Sequence, residues 1–172
     1  MIRRNVARLV ALGWVTALAG CGVYGFSSSL LPAHIKTVGI PLMENQTDRR
    51  DLATALADSL VNAFIDDNTL KVVNERDADS VVEGTILEYR RSPFTYDANE
   101  NVQTYRVEII LEARLVDVRK NNVMWEEKRL SQWATYNFVS VGGQPAEDEE
   151  TAIGRVLGRL TDDILNRSVQ GW

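Results

Sequence analysis

Two sets of residues have types and spacings that point to chemistry: a lone cysteine, Cys21, and the basic pairs Arg90-Arg91 and Lys128-Arg129. Cys21 is the only thiol in the chain. It stands behind a leader that carries Arg3, Arg4 and Arg8, an apolar run over residues 9–18, and the small residues Ala19 and Gly20. That order describes a secretory signal peptide cut just before the sulfur. The apolar run is about half of the roughly 20 residues a spanning helix needs, so it reads as an export signal and not an anchor. An ordinary signal peptide with an incidental cysteine would leave a free thiol without an intramolecular partner in an oxidising compartment.

The guanidinium groups of Arg90, Arg91 and Arg129, with the Lys128 ammonium, suit phosphate, which the planar arginine fork binds through two parallel hydrogen bonds. Arg106 and Arg114 lie on the polar side of an intervening strand, and an antiparallel meander would converge all of these on one wet face or sheet edge. The competing use is cross-strand ion pairing with Glu88, Glu108, Glu112, Glu126 and Glu127. Phe94 and Tyr96, in a loop expected over residues 92–101, are the aromatic side chains expected to face a partner.

Enzymatic chemistry has little to stand on. The chain contains no G-x-S-x-G, P-loop or G-x-G-x-x-G motif. His34, the one histidine, precedes the first strand with no nucleophile motif nearby and reads as a surface or packing residue. Glu126 and Glu127 are neighbours on a strand, so they point to opposite faces. One cysteine and one histidine do not make a zinc site of the usual type, and no metal or cofactor is implied.

The sequence Leu18-Ala19-Gly20-Cys21 resembles a bacterial lipobox. That resemblance implies a thioether-linked diacylglycerol on Cys21 plus an N-acyl chain, and attachment through more than one chain is stable. Gly22 stands where an aspartate would retain such a protein on the inner membrane, which favours the outer membrane. Residues 1–20 are then the lipoprotein signal peptide. The 172-residue chain has 19 basic and 24 acidic side chains, a net charge of −5. The leader holds three arginines and no acid, so the mature chain carries −8. A nucleic-acid partner is not expected on that background.

The elements that must position these groups follow from periodicity. Residues 21–34 form a tether, irregular but apolar enough for part of it to pack on the domain or a partner. Residues 35–42 read as a short strand and 44–48 as a loop. Leu52, Leu56, Leu60 and Phe64 recur every four residues and mark a helix over 51–66, capped by Asp51 or Asp48. Strands are expected over 70–73, 80–91, 102–118 and 123–136, with Asn122 at positive φ in the last turn. In residues 102–118 apolar and charged residues alternate, the signature of a sheet with one buried and one wet face. The phase shifts after Leu115, where a bulge is expected. In 123–136, Trp125, Leu130 and Trp133 do not share one parity. A final helix over 147–169 has an acidic start and a basic end, matching the helix dipole. The fold class expected is α/β (α+β): a two-layer sandwich, two helices on one face of a mixed, largely antiparallel sheet, forming a single domain over 35–172.

Cys21-Gly22-Val23-Tyr24-Gly25-Phe26, His34-Ile35-Lys36-Thr37-Val38 with Pro41-Leu42 and Glu44-Asn45, Glu83-Gly84-Thr85-Ile86, Tyr96-Asp97 and Trp125-Glu126-Glu127 together resemble the LptE family of lipopolysaccharide-assembly lipoproteins. The resemblance covers nearly all of the mature chain. It implies a non-enzymatic protein, lipid-anchored in the outer membrane and facing the periplasm. Such a protein sits as a plug in the lumen of a large outer-membrane β-barrel translocon, assists the barrel's assembly and helps deliver lipopolysaccharide. Family members bind lipopolysaccharide through basic residues; Arg90, Arg91, Lys128 and Arg129 are this chain's own candidates. Residues 38–45 with the following helix and Leu70-Lys71-Val72-Val73 also resemble the small α/β module of envelope and secretion-complex lipoproteins, which bind protein partners and not lipopolysaccharide.

Overall fold

Helical and alternating periodicities sort the described residues into two helices and six strands. The computed structural model describes residues 31–170; the expected signal peptide, Cys21 and most of the tether lie outside the described residues. In chain order the elements are β1 (Thr37–Gly39), β2 (Glu44–Asn45), α1 (Asp51–Asp67), β3 (Lys71–Val73), a single 3-10 turn (Glu75–Asp77), β4 (Ser80–Tyr96), β5 (Val102–Asp117), β6 (Asn122–Asn137) and α2 (Glu149–Val169). The strands form one mixed sheet in the order β3-β1-β4-β5-β6, and β2 pairs with β4. The short strands run parallel to their neighbours, whereas β4, β5 and β6 make a long antiparallel meander. Two helices on one face of this sheet give the expected α+β sandwich.

The core lies between that face and the helices. Leu52, Leu56, Leu60 and Phe64 of α1 and Ile153, Val156, Leu160 and Ile164 of α2 pack with Ile86, Val107, Ile109, Leu111 and Leu115 of the sheet. Leu31, at the end of the tether, also packs against this cluster. Gly39 keeps β1 close to the 3-10 turn, because a Cβ there would stand 2.7 Å from the Cα of Glu75.

Several local expectations need correction. Residues 44–45 were expected in a loop but pair with β4, while Asn45 folds the segment behind them by accepting from the Thr47 amide and donating to the Arg49 carbonyl. Neither Asp48 nor Asp51 caps α1; Arg50 occupies the N-cap without a side-chain cap, and Asp51 pairs with Arg49 instead. α2 starts two residues later than expected, because the Asp148 carboxylate accepts the Thr151 amide and caps it there. Phe94 and Tyr96 belong to β4, not to a loop: the strand runs on to Tyr96, and Asp97 then organises a tight turn by accepting the amides of Asn99 and Asn101. Asn121, not Asn122, takes the positive φ of the last turn, at 49°.

The irregular parity of β6 comes from two bulges. Leu111 and Ala113 of β5 face Leu130 and Glu127 of β6, so three steps on β6 match two on β5. A second extra residue follows between Trp125 and Val123, opposite Leu115 and Val116. The bulge expected after Leu115 is therefore present, with its extra residue in β6. β5 itself keeps its phase: Asp117 is buried and Val118 exposed. Trp125 and Leu130, of opposite parity, thus face the helices together, and Trp133 faces away.

Arg155 and Arg159 of α2 reach over the free edge of β6 and donate to the carbonyls of Thr135 and Trp133. Edge carbonyls occupied in this way are closed to strand addition.

Candidate functional site

Cross-strand register decides where each basic residue points. Arg90 stands opposite Glu108, and Glu83 opposite Arg114, all on the face away from the helices. Among the described residues no helix covers that face. Arg114 pairs with Glu83 at 2.7 Å. Glu88 receives Arg129 at 3.0 Å and Arg90 as well, and the Arg129 hydrogen bond holds the Glu88 carboxyl below its usual range. Glu108 accepts from Ser131 and lies 3.8 Å from Arg90. Lys128 is exposed and has no ion pair among the described residues. Arg90 and Arg129 therefore share a region of the open face, both engaged by the Glu88 carboxylate, with Lys128 beside Arg129 in sequence.

Arg91 is separated from them, because adjacent strand residues alternate across the sheet. Its partners in the ladder are Val107 and, through β5, Ala134, both in the core layer. The guanidinium lies 3.8 Å from the Tyr105 ring centroid, a cation–π contact. Its Nε donates to the Tyr136 hydroxyl at 2.7 Å and lies 3.0 Å from Glu149. Glu149 also accepts from Tyr89, Tyr136 and Arg49. Burial, followed by the hydrogen bond to Glu149, pushes the Tyr89 phenol well up, so the hydroxyl stays protonated as a donor. This network joins β4, β5, β6, α2 and the loop before α1.

The far end of the meander exposes aromatic surface. Phe94 is 48% exposed, Tyr96 56%, Trp133 43% and Phe138 53%. The Arg106 guanidinium lies 4.0 Å from the Trp133 ring centroid and 4.9 Å from that of Phe94. Trp133 escapes a parity reading because of the bulge at 128–129. Phe94 sits at a register shift between Pro93 and Thr95. Arg106 was legible only as one wet-face arginine among several.

The opposite end holds the tether. Asp79 accepts the amides of Lys36 and Thr37 and the Thr37 hydroxyl, and pairs with Arg119. The Lys36 amide is the main reason its carboxyl sits below the usual range. His34 bonds Asp117 at 2.7 Å, so the histidine secures the tether to the last turn of the sheet. Nearby, Glu44, Glu83, Glu112, Arg114 and Glu126 line an acidic groove of about 410 Å³. Among the described residues no group of three or more His, Cys, Asp or Glu is placed to hold a metal, and no helix is long and apolar enough to cross a membrane.

Solved structures share this fold. Uncharacterized lipoprotein B from Nitrosomonas europaea is similar at a TM-score of 0.56 and 16% identity, covering 80% of this chain and 83% of its own. The hypothetical protein CT253 from Chlamydia trachomatis is similar at a TM-score of 0.52 and 13% identity, covering 77% of this chain and 94% of its own. Comparison with curated protein sequences gives no match. The family LptE, Lipopolysaccharide-assembly, matches residues 35–168, which is most of the chain and all of the sheet and helix positions described above up to the last turn of α2. This chain belongs to the LptE family of lipopolysaccharide-assembly proteins.

Proposed function

We propose that the mature protein is acylated on Cys21, held in the outer membrane facing the periplasm, and seated in the lumen of a large β-barrel that exports lipopolysaccharide. There it plugs the barrel, assists its assembly and helps pass lipopolysaccharide to the outer leaflet. One observation carries the reading beyond family membership: the uncovered sheet face carries a run of cross-strand ion pairs and ends in exposed aromatic rings. A polar face of that kind suits the polar interior of an outer-membrane barrel. The rings Phe94 and Tyr96 are its partner-facing anchors. Ligand contact falls to Arg90, Lys128 and Arg129 on the open face, with Arg91 behind them on the helix side.

The test is affinity purification of the acylated chain from its own outer membrane, with mass spectrometry of what co-purifies. A large β-barrel recovered near one-to-one is the expected result. A homo-oligomer or secretion components without such a barrel would replace this reading with that of an envelope-complex module.

A further inference from the structure

Among the arginines of the open face, Arg106 stands apart. Arg90, Arg114 and Arg129 each have a carboxylate. Arg106 has none within ion-pairing distance among the described residues, and the residues directly opposite it, Ser92 and Thr135, are neutral. Its Nε is buried and finds no acceptor. A half-buried cation without a counter-ion loses hydration that the fold here replaces only with the faces of two aromatic rings.

The rings beside it do not sandwich it. The Phe94 and Trp133 centroids are 6.5 Å apart, well short of the combined 4.9 and 4.0 Å distances to the guanidinium carbon. They form two half-exposed walls of a notch that meet at the guanidinium. Both walls depend on irregularities in the sheet: the register shift at Phe94 in β4 and the bulge at 128–129 that turns Trp133 away from the helices. Bulges that re-aim side chains recur next to functional sites.

We propose that the notch of Phe94, Arg106 and Trp133 binds a phosphate carried on a sugar, as in the head of an anionic glycolipid. The guanidinium offers a planar fork of donors to the phosphate oxygens. The half-exposed rings offer flat apolar walls to the C–H face of the sugar. This site deepens the lipopolysaccharide reading above and rests on it for the source of the ligand. It is separate from the Arg90, Lys128 and Arg129 set, whose arginines already hold carboxylates.

The test uses the full acylated chain in detergent, with bisphosphorylated lipid A, its dephosphorylated form and soluble glucosamine 1-phosphate as probes. Binding is followed by direct titration and, in the chains that keep Trp133, by the change in tryptophan emission. Arg106→Gln and Arg106→Lys are compared with Trp133→Phe, which keeps a ring wall, and with Trp133→Ala, which removes it. Phosphorylated lipid A is expected to bind the glutamine variant at least tenfold more weakly, and the lysine variant nearly as weakly, because a point charge lacks the fork. Trp133→Phe should retain most of the binding that Trp133→Ala loses. Dephosphorylated lipid A should bind the native chain no better than phosphorylated lipid A binds Arg106→Gln. An emission shift with the soluble sugar phosphate places recognition in the head alone; a shift only with the glycolipid makes the lipid-borne form the ligand. If Arg106→Gln, melting like the native chain, binds phosphorylated lipid A with native affinity, the site is overturned. Recovery of the barrel is scored separately, so that result leaves the plug reading standing, whereas loss of the barrel from the native chain removes the plug reading itself.

Discussion

The Nε of Arg91 lies 3.0 Å from the Glu149 carboxylate, and this contact fastens the middle of the meander to the first turn of α2. Arg91 is thereby a strut between layers as well as a basic residue. Reversal to Arg91→Glu places two carboxylates together beneath Tyr105 and Tyr136. The expected cost is about 2 kcal/mol, the size of a charge-assisted hydrogen bond lost together with its partner's compensation. Arg90→Glu, on the open face, is expected to cost under about 1 kcal/mol. Urea midpoints of the two single variants measure the difference, and equal midpoints would refute the strut.

Replacing Cys21 by alanine is expected to leave the melting temperature of the folded domain unchanged while releasing the protein from membranes. In the proposed function the attachment comes from acyl chains and not from the fold. Sedimentation of membranes followed by carbonate washing checks this; a protein that stays in the pellet would point to another anchor.

Leu56 of α1 is fully buried against the sheet. Leu56→Ala removes its side chain and leaves a cavity between rigid neighbours, which typically costs about 3 kcal/mol. Chemical denaturation should show the full loss with an unchanged slope, since the surface exposed on unfolding hardly changes.

Acid should unfold the domain partly through Asp79. Its carboxyl is held below the ordinary 3.8 by the Lys36 amide, the Thr37 hydroxyl and Arg119. The unfolded chain therefore takes up the proton first. The stabilisation is complete above the unfolded value and disappears as pH falls through the lower folded one. Asp79→Asn should be less stable than the native chain at neutral pH and lose less of its stability between about pH 5 and pH 2. Parallel stability curves for the two proteins over that range would remove Asp79 from the account.

Much of this architecture is legible in the chain itself. Tyr105, Val107, Ile109, Leu111, Ala113 and Leu115 alternate with polar residues and define both the strand and its buried face. The four-residue spacing from Leu52 to Phe64 does the same for α1. The candidate site is less legible, for two physical reasons. Arg90 and Arg91 look like one basic cluster because they are adjacent, but adjacency in a strand means opposite faces, and the sheet puts Arg91 among tyrosines. The notch around Arg106 depends on two bulges, and a bulge is a property of the pairing between strands that neither strand displays alone. Trp125 and Trp133 share parity along β6 and still end on opposite sides.

The tether reaches the sheet through His34, Lys36 and Thr37, and these three residues are held by two carboxylates from separate parts of the chain, Asp117 and Asp79. Mechanically, a pull from the N-terminal side meets the His34–Asp117 contact first and the Asp79 contacts at the start of β1 next. Behind them β1 is paired on both sides, to β3 and to β4. Tension entering from that side is thus spread over three strands, so that under the proposed acylation of Cys21 the domain moves with the membrane without its sheet peeling open.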